Sequence, residues 1–427
     1  MTPALISRDL FEEQLPAYRR FLPIISSLEG GTTKQNIWDI PFTIGELSYL
    51  VHSHYRYYGK FPSVVAGQLL DQFPAPSRDH YVLDNFCGSG TTLVEARLRG
   101  VKSFGIDISW LSCLASNVKA NPANTKEIKS KLKSISNAHC THSKSCEPPE
   151  DQFVTKWFSE ETTRDLQSLR EIIRGLPESS EKDFLLVAFI GIIRRVSKAF
   201  DAEVRPHINK DKKQRNVLEA FTKKVMDMCA DHDDYMSLID SDIESRCILG
   251  SNLKLPEEFD DGKCHLVISH PPYLNSFNYT PVFSLEFYWG EPFEELYTGG
   301  VKSLHKEELT AHPASDRVTD SYFSHLEQCY RETYRIQKQG AHLAIVIGDC
   351  TRNGELVSVI DRTIEIVTGI GYVPYEYNYR TTHYGLGKYA YRHRADYHGA
   401  ADKKDGILIF KVSEPRTTVC SAHHFAG

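Results

Sequence analysis

The sequence predicts an α/β fold, a largely parallel sheet interrupted by a helical insertion, on three observations. A buried-strand signal, Tyr81-Val82-Leu83-Asp84, runs into the glycine turn Cys87-Gly88-Ser89-Gly90, and Phe104-Gly105-Ile106-Asp107 follows as a second strand one helix later. A third apolar strand, His265-Leu266-Val267-Ile268, ends on Ser269-His270-Pro271-Pro272-Tyr273. Between the second and third strands lies a long stretch whose apolar residues recur at helical spacing.

The elements follow in order. Residues 1–50 read as an N-terminal helical extension, with Leu10, Leu15, Tyr18 and Phe21 set among charges. Residues 51–121 form the first half of the α/β unit. Here Pro62 starts a helix over 64–73, and Gly100 stops another over 91–98. Residues 122–246 are the insertion. Its opening, 122–150, is crowded with Ser, Lys and Pro and reads as an exposed, mobile connection. Leu166, Leu169, Ile172, Ile173 and Leu176 then mark one helix, and residues 184–193 a second, more buried one. Residues 247–412 resume the α/β pattern: a strand at 247–249, a helix over 321–337 stopping near Gly340, and a strand at 343–347. A helix over 357–368 ended by Gly369 and closing strands at 372–379 and 407–412 complete the unit. Residues 413–427 are expected to be a disordered tail.

Composition excludes several classes. With 427 residues, 41% hydrophobic and 25% charged, the chain can bury a large core and is neither disordered nor fibrous. No apolar run reaches the roughly 20 residues of a membrane span. Asp9, Glu12 and Glu13 stand where an export signal would be apolar, so a cytoplasmic protein is expected. The ten cysteines form no CxxC pair and read as free thiols, and the eighteen histidines include no HExxH, so no metal is expected. His52 and His54 stand without an evident partner set. A net charge of -6 argues against coating nucleic acid through bulk charge but leaves room for a local basic cleft.

Two motifs carry chemistry. Glycines at the carboxyl end of a strand let the backbone approach a ligand closely, at the crevice where open α/β sheets bind nucleotides. Asp107 lies 19 residues after Gly88, where an acid meets ribose hydroxyls in such folds. A dinucleotide fingerprint would place a third glycine at Leu93, which argues against nicotinamide or flavin. Cys87 has no evident general base and reads as a packing residue. In the second motif, Pro271 and Pro272 withhold two N–H donors, so that local carbonyls can face a cavity, and Tyr273 offers a stacking ring. The plainer reading of Pro-Pro is a rigid exit from the strand.

These residues resemble a known family. Asp84 through Ala96, with Gly105-Ile106-Asp107-Ile108, is similar to the cofactor motif of S-adenosylmethionine-dependent DNA amino-methyltransferases. Their second hallmark is Asp, Asn or Ser before Pro-Pro-Tyr or Pro-Pro-Phe, and His270-Pro271-Pro272-Tyr273 departs from it only at the first position. Lys60-Phe61-Pro62 and the Tyr334–Gly340 stretch resemble two further family segments, and the likeness runs from about residue 50 to 412. It implies a class I, Rossmann-like methyltransferase fold with S-adenosylmethionine held by Lys60, Phe61, Pro62, Asp84, Phe86, Cys87, Gly88, Gly90, Thr91, Thr92, Asp107 and Asn252. It also implies catalysis by His270, Pro271, Pro272 and Tyr273 on a base flipped from double-stranded DNA, with Tyr273 stacking on it. His270 and the Pro271 carbonyl would accept hydrogen bonds from the amine. Only a neutral imidazole accepts, so activity is expected to fall at acid pH rather than stay flat over about pH 5 to 8. The family's Ser-Pro-Pro-Tyr members favour cytosine N4, which is preferred here over adenine N6. No cysteine follows a proline, which excludes the cytosine-C5 branch.

Cofactor motif first and Pro-Pro-Tyr second is similar to the order of one branch of that family, and this resemblance implies a target-recognition part in the insertion. Arg194, Arg195, Lys198, Arg205, Lys210, Lys212, Lys213 and Arg215 are either DNA contacts or a solvated face. Arg392 and Arg394, beside His383, Lys388 and His393 and among Tyr384, Tyr389 and Tyr391, form a second candidate contact. A restriction endonuclease is the implied partner. The competing readings are an RNA base amino-methyltransferase and a non-catalytic protein that binds cofactor and DNA.

Overall fold

A computed structural model of the chain describes residues 23–28, 33–40, 42, 45–290, 300–380 and 405–413. Its frame is a nine-stranded sheet in the order β1-β2-β10-β11-β7-β6-β3-β4-β5. The strands are β1 (Ile24–Leu28), β2 (Lys34–Asp39), β3 (Tyr81–Asp84), β4 (Lys102–Asp107), β5 (Ser245–Leu249), β6 (Cys264–Ser269) and β7 (Gln337–Gly348). After a separate hairpin of β8 (Cys350–Arg352) and β9 (Glu355–Val357) come β10 (Tyr372–Arg380) and β11 (Asp405–Val412). Strands β5, β4, β3, β6 and β7 run parallel, and β11 is slotted antiparallel between β7 and β10. Both faces of the central strands are covered: every residue of β3 and β6 is buried. That is why they read as unbroken apolar runs rather than alternating ones.

The chain leaves β3 toward β4 on one side, while β6 joins β3 on the other, with Asp84 paired to Ile268. A sheet whose order reverses at such a point leaves a crevice beyond the strands' carboxyl ends. The glycine turn and the His270 exit therefore open side by side.

Three helices pack along the first half: α1 (Ser63–Gln72), α2 (Thr91–Leu98) and α3 (Trp110–Ala120). The insertion contains α4 (Thr125–His142), α5 (Gln152–Trp157), α6 (Glu160–Arg174), α7 (Ser180–Val196) and α8 (Val217–Met236). Asn124, Asp151, Ser159, Ser179 and Asn216 cap them by accepting from first-turn amides. Helix α7 is the hub, burying Phe184, Leu185, Phe189, Ile190 and Ile193 in a core that also takes in Tyr55, Tyr58, Trp110 and Phe283. The second half adds α9 (Tyr279–Val282), α10 (Ser284–Gly290), α11 (Gly300–Glu307), α12 (Asp316–Ile336) and α13 (Val359–Ile370).

Four expectations are corrected. Residues 24–28 and 34–39 are not helical: β1 and β2 pair antiparallel, and β2 adds to the sheet beside β10. What holds β2 is distant in sequence. Asn36 Nδ2 donates to Glu376 Oε1 (2.8 Å) and Asn378 Oδ1 (2.7 Å), and Trp38 is fully buried. Residues 125–142 are an ordered helix, because Ile128, Leu132, Ile135 and His139 share one buried stripe while Lys and Ser take the other faces. Gly340 does not end the preceding helix. Helix α12 passes directly into β7 at Gln337, and Gly340 lies within that strand at φ +86°. Helix α13 stops at Gly371 (φ +128°), not at Gly369. The disordered tail and the loop with Arg392 and Arg394 lie outside the described residues, save Ser413.

Candidate active site

The glycine turn is built from its two carboxylates. Asp84 at the end of β3 accepts from the Phe86 amide (3.1 Å) and from Thr92 Oγ1 (2.5 Å), joining the start of the turn to the first turn of α2. Asp107 at the end of β4 accepts from the Gly88 amide through Oδ2 and the Ser109 amide through Oδ1, both at 2.8 Å. Burial pushes Asp84 up to about 6 and Asp107 to about 7, although these donors favour the ionised forms. Gly88 and Gly90 hold φ of +51° and +74°. A Cβ on Gly88 would sit 3.1 Å from the Tyr57 ring, and one on Gly90 2.8 Å from Ser116. The Cys87 thiol packs beneath the turn against Gly105, as expected of a packing residue. Lys119 is buried below the turn, donating to the Ser89 carbonyl, and burial drives its pKa well below the usual value.

A cleft of about 970 Å³, its open mouth included, joins this turn to three other segments. From the stretch before α1, Lys60 and Phe61 line it, whereas Pro62 caps α1 outside the lining. Lys60 Nζ donates to the His52 carbonyl (3.1 Å), and burial lowers it to about 8. His52 has a partner after all: its Nε2 meets Glu95 Oε1 at 2.8 Å. After β5, Asn252 lines the cleft with both ends of its amide engaged, Nδ2 to the Asn85 carbonyl (3.1 Å) and Oδ1 to His325 Nε2 (3.2 Å). After β6, His270 and Pro272 line it, while Pro271 is buried and does not.

The His270 ring lies between two others. Phe61 is 5.1 Å away at a 31° tilt, and Tyr273 is 5.3 Å away and edge-on at 72°. Tyr273 thus braces the imidazole edge-on and is itself half-buried. Burial, with the Arg380 charge nearby, lowers His270 to about 3. The Pro272 carbonyl accepts from Tyr322 Oη at 2.8 Å, which pins the exit from the strand.

Several lining groups went unread in the sequence. Tyr57 covers Gly88 and stacks on Tyr279 (5.4 Å, 23°) and Phe283 (5.3 Å, 27°), forming an aromatic wall. Glu308 holds that wall by accepting from the Tyr279 and Thr280 amides and from Thr280 Oγ1. Asn85 is buried with Nδ2 on Cys329 Sγ (3.1 Å), and its Oδ1 has no hydrogen-bond partner among the described residues. The aromatic density at 55–61 was the legible clue to this wall; nothing local in the sequence marks Asn85, His325 or Glu308.

The basic residues of the insertion divide into two groups. Arg194 is buried: it donates to Tyr58 Oη (3.1 Å) and to the Glu203, Val204 and Val282 carbonyls, with Glu286 3.4 Å from its Nε. Lys212 is half-buried on the Arg194 and Ala199 carbonyls and on Asp201. Both are structural rather than DNA-facing, because an interior that crosses so many carbonyls needs cations to satisfy them. Arg195, Lys198, Arg205, Lys210, Lys213 and Arg215 are exposed. Among the described residues, His142, Cys146 and Glu171 bring donor atoms within 4.8 Å of one another, but none lines the cleft and His142 already bonds Glu171 at 2.6 Å.

The strand order, with its antiparallel β11 beside β7, and the glycine turn at the switch point define a class I methyltransferase fold. A family model described as DNA methylase matches residues 11–117. The Type II methyltransferase M.MvaI of Kocuria varians is 27% identical over 240 residues, covering 51% of this chain and 53% of that protein. M.MjaII of Methanocaldococcus jannaschii is 35% identical over 121 residues, covering 27% of this chain and 22% of its own length. M.BsoBI of Geobacillus stearothermophilus is 22% identical over 410 residues, covering 76% and 79% respectively. The first two matches thus span about half and about a fifth of those relatives. The chain is thus similar, over part of its length, to DNA methylases of the N4/N6 amino-methyltransferase family, whose cofactor is S-adenosylmethionine. The cleft fits that cofactor: Asp107 offers a carboxylate to hydroxyls, Lys60 a cation to a carboxylate, and the buried Asn85 Oδ1 an open acceptor.

Proposed function

We propose that the protein transfers the methyl group of S-adenosylmethionine to an exocyclic amine of a base flipped from duplex DNA, cytosine N4 ahead of adenine N6. The observation that carries this reading is that the glycine turn after β3 and the His270 exit of β6 open into one cleft. The preference for cytosine rests on the nearness of His-Pro-Pro-Tyr to Ser-Pro-Pro-Tyr. Asp107, Lys60, Phe61 and the amides of the turn would hold the cofactor, which supplies an electrophilic methyl group.

The chain's own work is acceptance and alignment. A neutral His270 accepts a hydrogen bond from the amine, which leaves the nitrogen lone pair better able to attack, while Phe61 and Tyr273 fix the plane of the imidazole. The exposed cations of the insertion supply phosphate contacts, which give affinity without sequence preference. Relatives named as Type II methyltransferases support a restriction–modification setting, with a cognate nuclease as partner. Among the described residues no helix is long and apolar enough to cross a membrane.

The test is nucleoside mass spectrometry after incubation with S-adenosylmethionine and unmethylated genomic DNA, with RNA in parallel. N4-methylcytosine or N6-methyladenine in the DNA is the expected result and settles the target atom. A mark in RNA alone would replace DNA as the substrate. No mark on either, with cofactor bound, would leave a binding protein.

A further inference from the structure

Residues 198–209, between α7 and α8, close into a hairpin: Ala199 bridges Ile208, the Phe200 amide donates to the His207 carbonyl (3.0 Å), and the Asn209 amide donates to the Lys198 carbonyl (2.8 Å). Its backbone is held by three cations, Lys212 and Arg194 from within and Arg56 at the surface. Lys212 takes the Ala199 carbonyl, Arg56 those of Asp201 and Ala202, and Arg194 those of Glu203 and Val204. A chain so pinned cannot fold its own apolar side chains away. Phe200, Val204 and Ile208 remain 38%, 38% and 40% exposed. Large apolar groups kept in water on a fixed backbone mark a contact surface.

Charge names the partner. Arg195, Lys198, Arg205, Lys210 and Lys213, within the hairpin or within a few residues of its ends, are exposed. Of the nearby acids, Glu203 lies on His207 (2.6 Å) and Asp201 on Lys212 (2.7 Å) and Arg215 (3.2 Å), while Asp211 is exposed among the cations, so that exposed positive charge still predominates. The hairpin is also bolted to the cleft. Arg194 reaches Tyr58 and the Val282 carbonyl, Arg56 lies 5.0 Å over the Tyr58 ring, and the adjoining Tyr57 and Phe283 stack in the cleft wall.

We propose that the 198–209 hairpin is a wedge for duplex DNA: Phe200, Val204 and Ile208 press between bases next to the target while the surrounding cations grip phosphates. The wedge rests on the DNA-methylation reading and adds to it the element that holds the unstacked step open.

The test compares Phe200→Ser and Val204→Ser with the unmodified protein on two duplexes carrying the methylated sequence, one fully paired and one mismatched at the target base. On the paired duplex the rate at low substrate is expected to fall about tenfold or more, since an unstacking cost of a few kcal/mol loses its compensation. The mismatch should restore most of it, and S-adenosylmethionine affinity should not change. A double variant, Arg205→Gln with Lys210→Gln, should weaken both duplexes alike and reduce the salt slope of binding by about 2. All four positions are exposed, and circular dichroism checks that each variant is folded. Serine variants that match the unmodified protein on paired DNA, or that lose equally on both duplexes, overturn the wedge. So does sedimentation showing a dimer that Val204→Ser dissociates, which would make the hairpin an interface between copies. If the unmodified protein methylates no DNA at all, the functional reading fails first and the wedge with it.

Discussion

At the scale of single residues, environment decides what each motif position can do. His270 departs from the family's usual residue, and a histidine exposed to solvent would lose its acceptor below about pH 6.5. Burial beside Arg380 lowers it to about 3, so the imidazole stays neutral through the whole working range. The acid loss expected from the sequence is therefore withdrawn: any part of the rate controlled by His270 should be flat from about pH 5 to 8. His270→Ala should lower single-turnover methyl transfer about 10²- to 10³-fold while leaving cofactor affinity in place. Asp107 supplies the pH dependence instead. Its pKa is raised to about 7, so below that pH a proton occupies the carboxylate proposed to receive the cofactor hydroxyls. Cofactor binding then requires loss of that proton, and Kd should rise by up to about tenfold per pH unit below 7. Titration calorimetry at pH 6 and 8 measures this, and Asp107→Asn should bind weakly at both with the difference gone.

Elements carry the next set of consequences. The glycine turn is legible because both its glycines sit where a side chain fails, each at positive φ and each against a neighbour. Gly90→Ala adds strain to a clash with Ser116 at 2.8 Å and should cost about 1–3 kcal/mol in denaturant unfolding. Helix α7 gives the contrasting lesson. Arg194 and Arg195 are adjacent and chemically alike, yet the helix turns the first inward onto Glu286 and the second into solvent. Arg194→Ala leaves a buried carboxylate and several carbonyls without a cation and should cost about 3–5 kcal/mol. Arg195→Ala should change stability by less than about 0.5 kcal/mol. A basic run shows no such division in sequence, because facing is set by helical phase and by what packs opposite.

At the scale of the whole molecule, the insertion and the cleft share one core. Trp110, Trp157 and Trp289 belong to the same buried cluster, which joins α3, the insertion helices and the 282–289 segment, while Trp38 packs at the far side of the sheet. Unfolding followed by tryptophan fluorescence and by far-ultraviolet circular dichroism should therefore give coincident transitions, and two separated steps would show an independently folding insertion. The sequence by itself determined the parallel sheet, the glycine turn with Asp107, the His270 exit and the helical character of the insertion. These rest on local signals: apolar runs two-sided enough to be buried, glycines at strand ends, and periodicity within one helix. It misread β1 and β2, whose partner strand lies 340 residues away, and could not place Tyr57, Asn85 or Glu308 in the cleft. Only the tertiary structure decided those, together with the inward turn of Arg194 and the neutral state of His270. Each depends on which distant groups are brought into contact, and on the water that contact removes.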